Sequence, residues 1–323
     1  MKAFAPIGDY CIPASVTPID AVYENFNAPI NYDMLAIHII RLLNGGVDGL
    51  VIGGCTGADS LLEDDEQVKL VKFVNKNWGD ENLIIAGDGS NKTQHAIDLA
   101  AKMEQEAGVF THLSVSPYKV KPTQRGIIRH YEEILNAIEG ELIAYNVRGR
   151  TGGNGIEPET LAILAQHERF IGVKEASGGQ LALDRVEKTV ELTSELDFIV
   201  LSGDDDQAFE MIKRGARGLI SVAANVDPEG MSNMIHLYRT SPEEALKMNE
   251  ERKILYEAMF LPDENNPQCV HFALRFMGYE VGIPRLPLTD VSEVNKVKIY
   301  NALKGLNLIN FNKTLGFLLG KKS

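Results

Sequence analysis

Eight short apolar runs recur along this chain at semi-regular intervals, with helically patterned segments between them. The runs are Tyr10–Val16, Gly49–Gly53, Leu83–Ala86, Thr111–Val115, Leu142–Tyr145, Phe170–Val173, Asp197–Leu201 and Arg217–Val222. Each is bounded by glycine or polar residues, and each is of strand length, which is the pattern of a parallel strand buried on both faces. Between them, Tyr32–Asn44 places Leu35, Ile39, Leu42 and Leu43 on one face, and Asp65–Asn75 repeats Val68, Val71 and Val74 at helical intervals. Thr93–Glu106 and Thr123–Ile138 follow the same rule. Gly45, Gly46, Gly108, Gly140 and Gly215 fall just past helices, where a left-handed cap is expected. Strands alternating with helices predict an α/β fold with a parallel sheet. The number eight favours a closed (β/α)8 TIM barrel over an open sheet. The glycine fingerprint of a dinucleotide fold does not follow the first run.

After Asn225 the strand-like runs stop. Met231–Tyr238, Pro242–Phe260, Pro267–Met277 and Ser292–Leu303 all read as helices. The first completes the barrel and the others form a C-terminal addition. The expected organisation is a barrel catalytic domain over residues 1–240 and a helical region over 241–323.

Composition narrows the function classes. The 323 residues include 32 basic and 45 acidic side chains, for a formal net charge of −13. Such an acidic surface argues against nucleic acid and anionic membrane as partners, and leaves room for a local cationic pocket that binds a small anion. Cys11, Cys55 and Cys269 are scattered, without metal-ligand spacing or a disulfide framework, which fits a reducing compartment. The N-terminus lacks the apolar core of a signal peptide and no run reaches the length of a membrane span, so a cytoplasmic protein is expected.

In a (β/α)8 barrel the chemistry lies at the C-terminal ends of the strands. The candidates there are Ser15–Thr17, Cys55–Thr56, Asp88–Gly89, Ser116–Tyr118, Tyr145–Asn146, Lys174–Glu175, Ser202–Asp205 and Ser221–Asn225. They form a ring of hydroxyls, small residues and one lysine, with few carboxylates and no histidine cluster, so no metal site is expected. Lys174 ends the run Phe170–Val173. There its stem would lie on apolar residues, and desolvation would favour the neutral, nucleophilic amine that condenses with a carbonyl. Position alone also fits a lysine that runs out to solvent. Tyr145 ends the neighbouring run, where its phenol would carry protons near Lys174 or simply pack at the barrel rim. Thr56 lies in Gly53-Gly54-Cys55-Thr56-Gly57, whose glycines permit a turn that aims N–H groups at a carboxylate, or only a strand exit. Arg150 follows on a glycine-rich loop, where a guanidinium would grip a carboxylate bidentately or stay in solvent, as Arg148 is expected to do.

These residues, taken in order, resemble a known family. Gly53–Gly57, Pro117-Tyr118-Lys119-Val120-Lys121-Pro122, Tyr145-Asn146-Val147-Arg148-Gly149-Arg150-Thr151-Gly152, Ile171–Gly178, Ser202–Asp205 and Gly218–Val222 are similar to six motifs of the dihydrodipicolinate synthase/N-acetylneuraminate lyase family of class I pyruvate-dependent aldolases. The resemblance runs from Pro13 to Pro287. It implies that Lys174 forms a Schiff base with pyruvate, that Tyr145 shuttles protons, and that Cys55 and Thr56 hold the pyruvate carboxylate. It also implies that Arg150 binds the carboxylate of a second substrate, that Gly203 and Ser221 line the substrate site, and that Tyr118 and Lys119 stand at a relay and subunit interface. The arginine is typical of the synthase branch, which condenses pyruvate with aspartate semialdehyde on the path to lysine through diaminopimelate. No cofactor is implied beyond the lysine imine, and a homo-oligomer, dimer or tetramer, is expected.

The chain departs from the family pattern at three positions. Cys55 replaces a relay threonine, Ala58 a glutamate, and Lys119 a tyrosine that in the synthases reaches the neighbouring subunit's site. Two alternatives therefore accompany the synthase reading. One is a pyruvate-dependent aldolase, lyase or dehydratase acting on another 2-keto acid. The other is a non-catalytic paralogue that binds a metabolite.

Overall fold

The structure of the chain, a computed structural model, describes residues 9–20, 27–264 and 266–309. Among the described residues eight strands are present: β1 (Tyr10–Pro13), β2 (Gly49–Ile52), β3 (Leu83–Gly87), β4 (Thr111–Val115), β5 (Glu141–Asn146), β6 (Phe170–Glu175), β7 (Ile199–Ser202) and β8 (Gly218–Ser221). They form one sheet in the order β1-β8-β7-β6-β5-β4-β3-β2, and every registered pair from β2 to β8 is parallel. The ends of that order meet: Tyr10 N–H donates to Arg217 O at 3.0 Å, and Asp48 N–H, just before β2, donates to Cys11 O at 3.0 Å. The fold is the (β/α)8 TIM barrel that the alternation predicts, with C-terminal helices.

The helices are α1 (Tyr32–Asn44), α2 (Asp64–Trp78), α3 (Thr93–Lys102), α4 (Gln124–Ala137), α5 (Pro158–Leu164), α6 (Gly179–Leu192), α7 (Ala208–Lys213), α8 (Pro228–Leu237), α9 (Pro242–Met259), α10 (Gln268–Phe276) and α11 (Glu293–Gly305). Two compact units emerge. The first comprises the chain up to Ile12, Asp48–Gly54 and Leu62–Ser221, and so carries the barrel strands and α2–α7. The second comprises Pro13–Val47, Cys55–Leu61 and the chain from Val222, with α1 and α8–α11.

In the first unit the apolar face of α2 is buried through Val68, Leu70, Val71 and Val74. A reciprocal capping box between Glu63 and Glu66 starts this helix, satisfying N–H groups that its first turn leaves free. α3 ends earlier than the uninterrupted pattern suggests: Met103–Ala107 is a π-helical turn, closed by Gly108 at φ 69°. Gly46 and Gly215 also take left-handed backbone, at φ 78° and 100°. Gly140 does not. It is small for packing instead, because a Cβ there would stand 2.3 Å from Phe110 O. Gly45 in the second unit is likewise a packing glycine, since its Cβ would meet Pro228 Cβ at 2.6 Å.

In the second unit Asn225 ties distant segments together. Its side chain accepts from Val16 N–H at 3.1 Å and donates to Ala14 O at 2.8 Å. Among the described residues, no helix is long and apolar enough to cross a membrane.

Candidate active site

β5 and β6 pair with Tyr145 opposite Lys174 and Asn146 opposite Glu175. Successive strand residues face opposite sides, so Tyr145 and Lys174 share one face of the sheet and Asn146 and Glu175 the other. Lys174 thus lies inside β6 rather than just beyond it. Both residues of the first pair are buried, and Lys174 Nζ stands 4.3 Å from the centroid of the Tyr145 ring. An amine here is shielded from bulk water and lies over the ring of a tyrosine.

The turn after β7 closes over the lysine stem. Gly203 N–H donates to Glu175 O at 2.7 Å, and a Cβ on Gly203 would lie 2.9 Å from Lys174 Cε and 2.7 Å from Ala176 Cβ. Only glycine permits so close a passage. Asp204 follows, with Oδ2 buried and without a hydrogen-bond partner. Burial first, and the Asp206 carboxylate second, push the Asp204 carboxyl up to about 7, against the pull of Lys174. Ser221, fully buried at the end of β8, donates to Asp205 Oδ1.

Two loops of the first unit carry the remaining candidates. Tyr118 is half-buried, while Lys119 is exposed and left-handed at φ 66°. Arg150 is exposed on the loop after β5, its N–H donating to Val147 O at 3.0 Å. The loops are laced together. Asn154 Nδ2 donates to Pro122 O at 3.2 Å, Gln124 Nε2 donates to Gly155 O at 2.8 Å, and Gln124 Oε1 accepts from Glu157 N–H at 3.0 Å. Arg148 is not merely solvated, because its Nη1 meets Glu157 Oε1 at 3.4 Å.

Cys55 and Thr56 belong to the second unit, in a single 3-10 turn Cys55–Gly57. Thr56 is buried and its Oγ1 accepts from Asn266 Nδ2 at 3.0 Å. Cys55 is half-buried, and Cys11 and Cys269 are buried.

Polar side chains lie behind the strand ends; Asp88, Asn146 and Glu175 were among the strand-end candidates, whereas Arg185, His112 and Glu104 were not. Glu175, Asn146 and Arg185 form one hydrogen-bonded set. Asp88, His112 and Glu104 form another, with His112 Nε2 3.3 Å from Glu104 Oε1 and Nδ1 on Asp88 Oδ2. Burial alone would lower the His112 imidazole, but the Asp88 and Glu104 carboxylates outweigh it and push it up to about 9. Glu175, Asn146 and Asp88 each adjoin an apolar run and were picked out on that ground. Arg185 sits mid-helix and carries no local signal. Among the described residues, no group of three histidine, cysteine or carboxylate side chains is arranged to hold a metal ion.

Comparison with known proteins places this geometry. A profile of the Dihydrodipicolinate synthetase family matches residues 11–306. The chain belongs to the dihydrodipicolinate synthetase family. A 4-hydroxy-tetrahydrodipicolinate synthase of Haloarcula marismortui is 38% identical over 282 residues, covering 87% of this chain and 88% of that protein. One from Methanopyrus kandleri is also 38% identical, over 92% of this chain and 96% of the relative. Among solved structures of this family, the dihydrodipicolinate synthase of Acinetobacter baumannii, crystallised with pyruvate, superposes with a TM-score of 0.86 at 32% identity, covering 93% of this chain and 99% of that one.

Proposed function

We propose that this chain is a 4-hydroxy-tetrahydrodipicolinate synthase, a class I enzyme that condenses pyruvate with aspartate semialdehyde. The observation that carries the reading is the buried Lys174 amine 4.3 Å from the Tyr145 ring, on a barrel of this family. Lys174 attacks the pyruvate carbonyl; Tyr145 delivers a proton to the departing hydroxyl, and water leaves as the iminium forms. Loss of a methyl proton then gives the enamine nucleophile. Cys55 and Thr56 hold the pyruvate carboxylate, Gly203 and Ser221 line the site, and Arg150 takes the carboxylate of the aldehyde. The covalent carrier is the lysine itself, with no added cofactor or metal. The same reading makes the protein a cytoplasmic homo-oligomer, with residues 1–240 as its catalytic barrel and 241–323 as its helical addition. The test is borohydride reduction in the presence of pyruvate, followed by peptide mass spectrometry. A pyruvyl adduct on Lys174, together with condensation of aspartate semialdehyde, supports the reading. A folded protein with unmodified Lys174 refutes it.

Two positions favour a second reading, a pyruvate-dependent lyase, aldolase or dehydratase for another 2-keto acid. By family correspondence the proton relay runs through Cys55, Lys119 and Tyr145, where the synthases use three hydroxyls. A thiol is a weak donor and acceptor, and an ammonium donates but does not accept. Imine formation is expected to survive this change, whereas ring closure with the semialdehyde slows. Cys55→Thr combined with Lys119→Tyr is expected to raise synthase turnover, and each alone to raise it less, because members of one relay are not additive. Turnover and methyl-proton exchange of pyruvate are the measurements. A folded double variant with no gain in condensation selects the second reading.

A further inference from the structure

The loop from Val147 to Ile156 contains Gly149, Gly152, Gly153 and Gly155, and Gly152 and Gly153 adopt left-handed backbone at φ 68° and 81°. A Cβ added at Gly149 or Gly153 would meet nothing within 4 Å, so the tip of this loop is not held by packing at those positions. Such a segment loses much conformational freedom when it takes one shape. Arg150 nonetheless has to stand in one place if it is to bind a carboxylate at a fixed distance from the imine.

The far end of the loop is fixed by Arg185, which lies on α6 and is 5% exposed. Its guanidinium serves three acceptors. Nε donates to Glu175 Oε2 at 3.4 Å, Nη1 to Glu157 Oε2 at 2.8 Å, and Nη2 to the carbonyl oxygen of Ile156. Glu175 in turn accepts from Asn146 Nδ2 at 2.6 Å and from Ser177 N–H at 2.8 Å. Asn146 Oδ1 accepts from Ile156 N–H at 3.0 Å. Ile156 is therefore held by both its backbone groups, through Asn146 of β5 and through Arg185 of α6. Asn146 and Glu175 immediately follow Tyr145 and Lys174, so the same polar set locks the register of the two strands that carry them.

A buried arginine among carboxylates gives little net stability over apolar residues of the same volume, and its best-attested use is to fix a position or a register. Burial pushes the Glu175 carboxyl upward, and Ser177, Arg185 and Asn146 draw it back.

We propose that Arg185 is a positioning residue for the second substrate: through Ile156 and Glu157 it sets where Arg150 stands relative to Lys174. The proposal rests on the reading of Lys174 as the imine lysine and Arg150 as the carboxylate site. Lysine replaces Arg185 only in part, because a single ammonium lacks the planar fork that reaches three separated acceptors.

The test uses the full-length protein and the variants Arg185→Leu, Glu157→Gln and Arg185→Lys, the first two also made in an Arg150→Ala background. Glu157 is half-buried, and its amide variant weakens the loop-side arm and the Arg148 contact while leaving Glu175 and Ile156 on Arg185, so it covers the case in which Arg185→Leu does not fold. Three readouts are taken: KM and kcat with aspartate semialdehyde, the rate of borohydride trapping with pyruvate, and hydrogen exchange of the backbone amides. Arg185→Leu is expected to raise KM for the semialdehyde about tenfold, with trapping by pyruvate within about twofold of the parent. Exchange is expected to accelerate over residues 147–157 and not elsewhere. Glu157→Gln moves the same quantities in the same direction by less, and Arg185→Lys restores only part of the loss. In an Arg150→Ala background either substitution adds little, since the loop then has nothing left to position. Equal losses in trapping and condensation, additive effects with Arg150→Ala, or unchanged exchange in 147–157 would overturn the proposal. If the parent protein does not condense the semialdehyde at all, the functional reading fails separately, and the exchange measurement still decides whether Arg185 holds the loop.

Discussion

Lys174→Arg is expected to abolish both turnover and borohydride trapping with pyruvate while the protein remains folded. Imine formation needs an amine that gives up its proton and offers a lone pair. A guanidinium stays protonated in proteins, so it keeps the charge and loses the chemistry. The side chains are similar in length, and Lys174 stands within an eight-stranded ring that does not depend on it for pairing. Circular dichroism and thermal melting of the variant separate loss of chemistry from loss of fold. Trapping of pyruvate on Lys174→Arg, at any position, would show that another amine carries the reaction.

Arg150→Ala is expected to lower kcat/KM for the aldehyde by roughly 30- to 150-fold, which is about 2–3 kcal/mol for a charge-assisted pair that forms on the substrate. Arg150 is exposed in the structure, so the variant removes no buried support and the melting temperature is expected to stay within a few degrees of the parent. Pyruvate trapping is expected to proceed at the parent rate, because the imine forms before the aldehyde arrives. The comparison to make is steady-state kinetics with aspartate semialdehyde varied at saturating pyruvate, then the reverse. An equal fall in trapping would assign Arg150 to the architecture of its loop instead.

The barrel was legible because burial on both faces leaves a run such as Leu142–Tyr145 or Phe170–Val173 almost wholly apolar, and that signal needs no knowledge of contacts. α1, α2 and α4 were legible within a few residues from the spacing of their apolar positions. The π-helical turn Met103–Ala107 was not, since its residues carry the same periodicity as the helix they end. Gly140 shows a different limit. A glycine demanded by a neighbour's backbone looks identical, in sequence, to one demanded by left-handed φ. At the strand ends, Lys174 and Tyr145 drew notice because each closes an apolar run. Arg185 and Glu157 did not, because their partners come from segments 10 to 29 residues away and only the folded helix α6 brings them into reach.

The alternation along β5 and β6 has a consequence at the level of the gene. Tyr145 and Lys174 face one side and Asn146 and Glu175 the other, so the two sets are interleaved one residue apart. Loss of a single codon within Phe170–Val173 would turn the lysine toward α6 and bring the carboxylate of Glu175 to the seat it left. Substitutions in that stretch, where Val173 and Phe170 are simply buried apolar residues, change packing by degrees. Single-residue deletions there exchange an amine for an acid in one step, so lineages that keep the chemistry will show a strand of constant length whose spelling drifts.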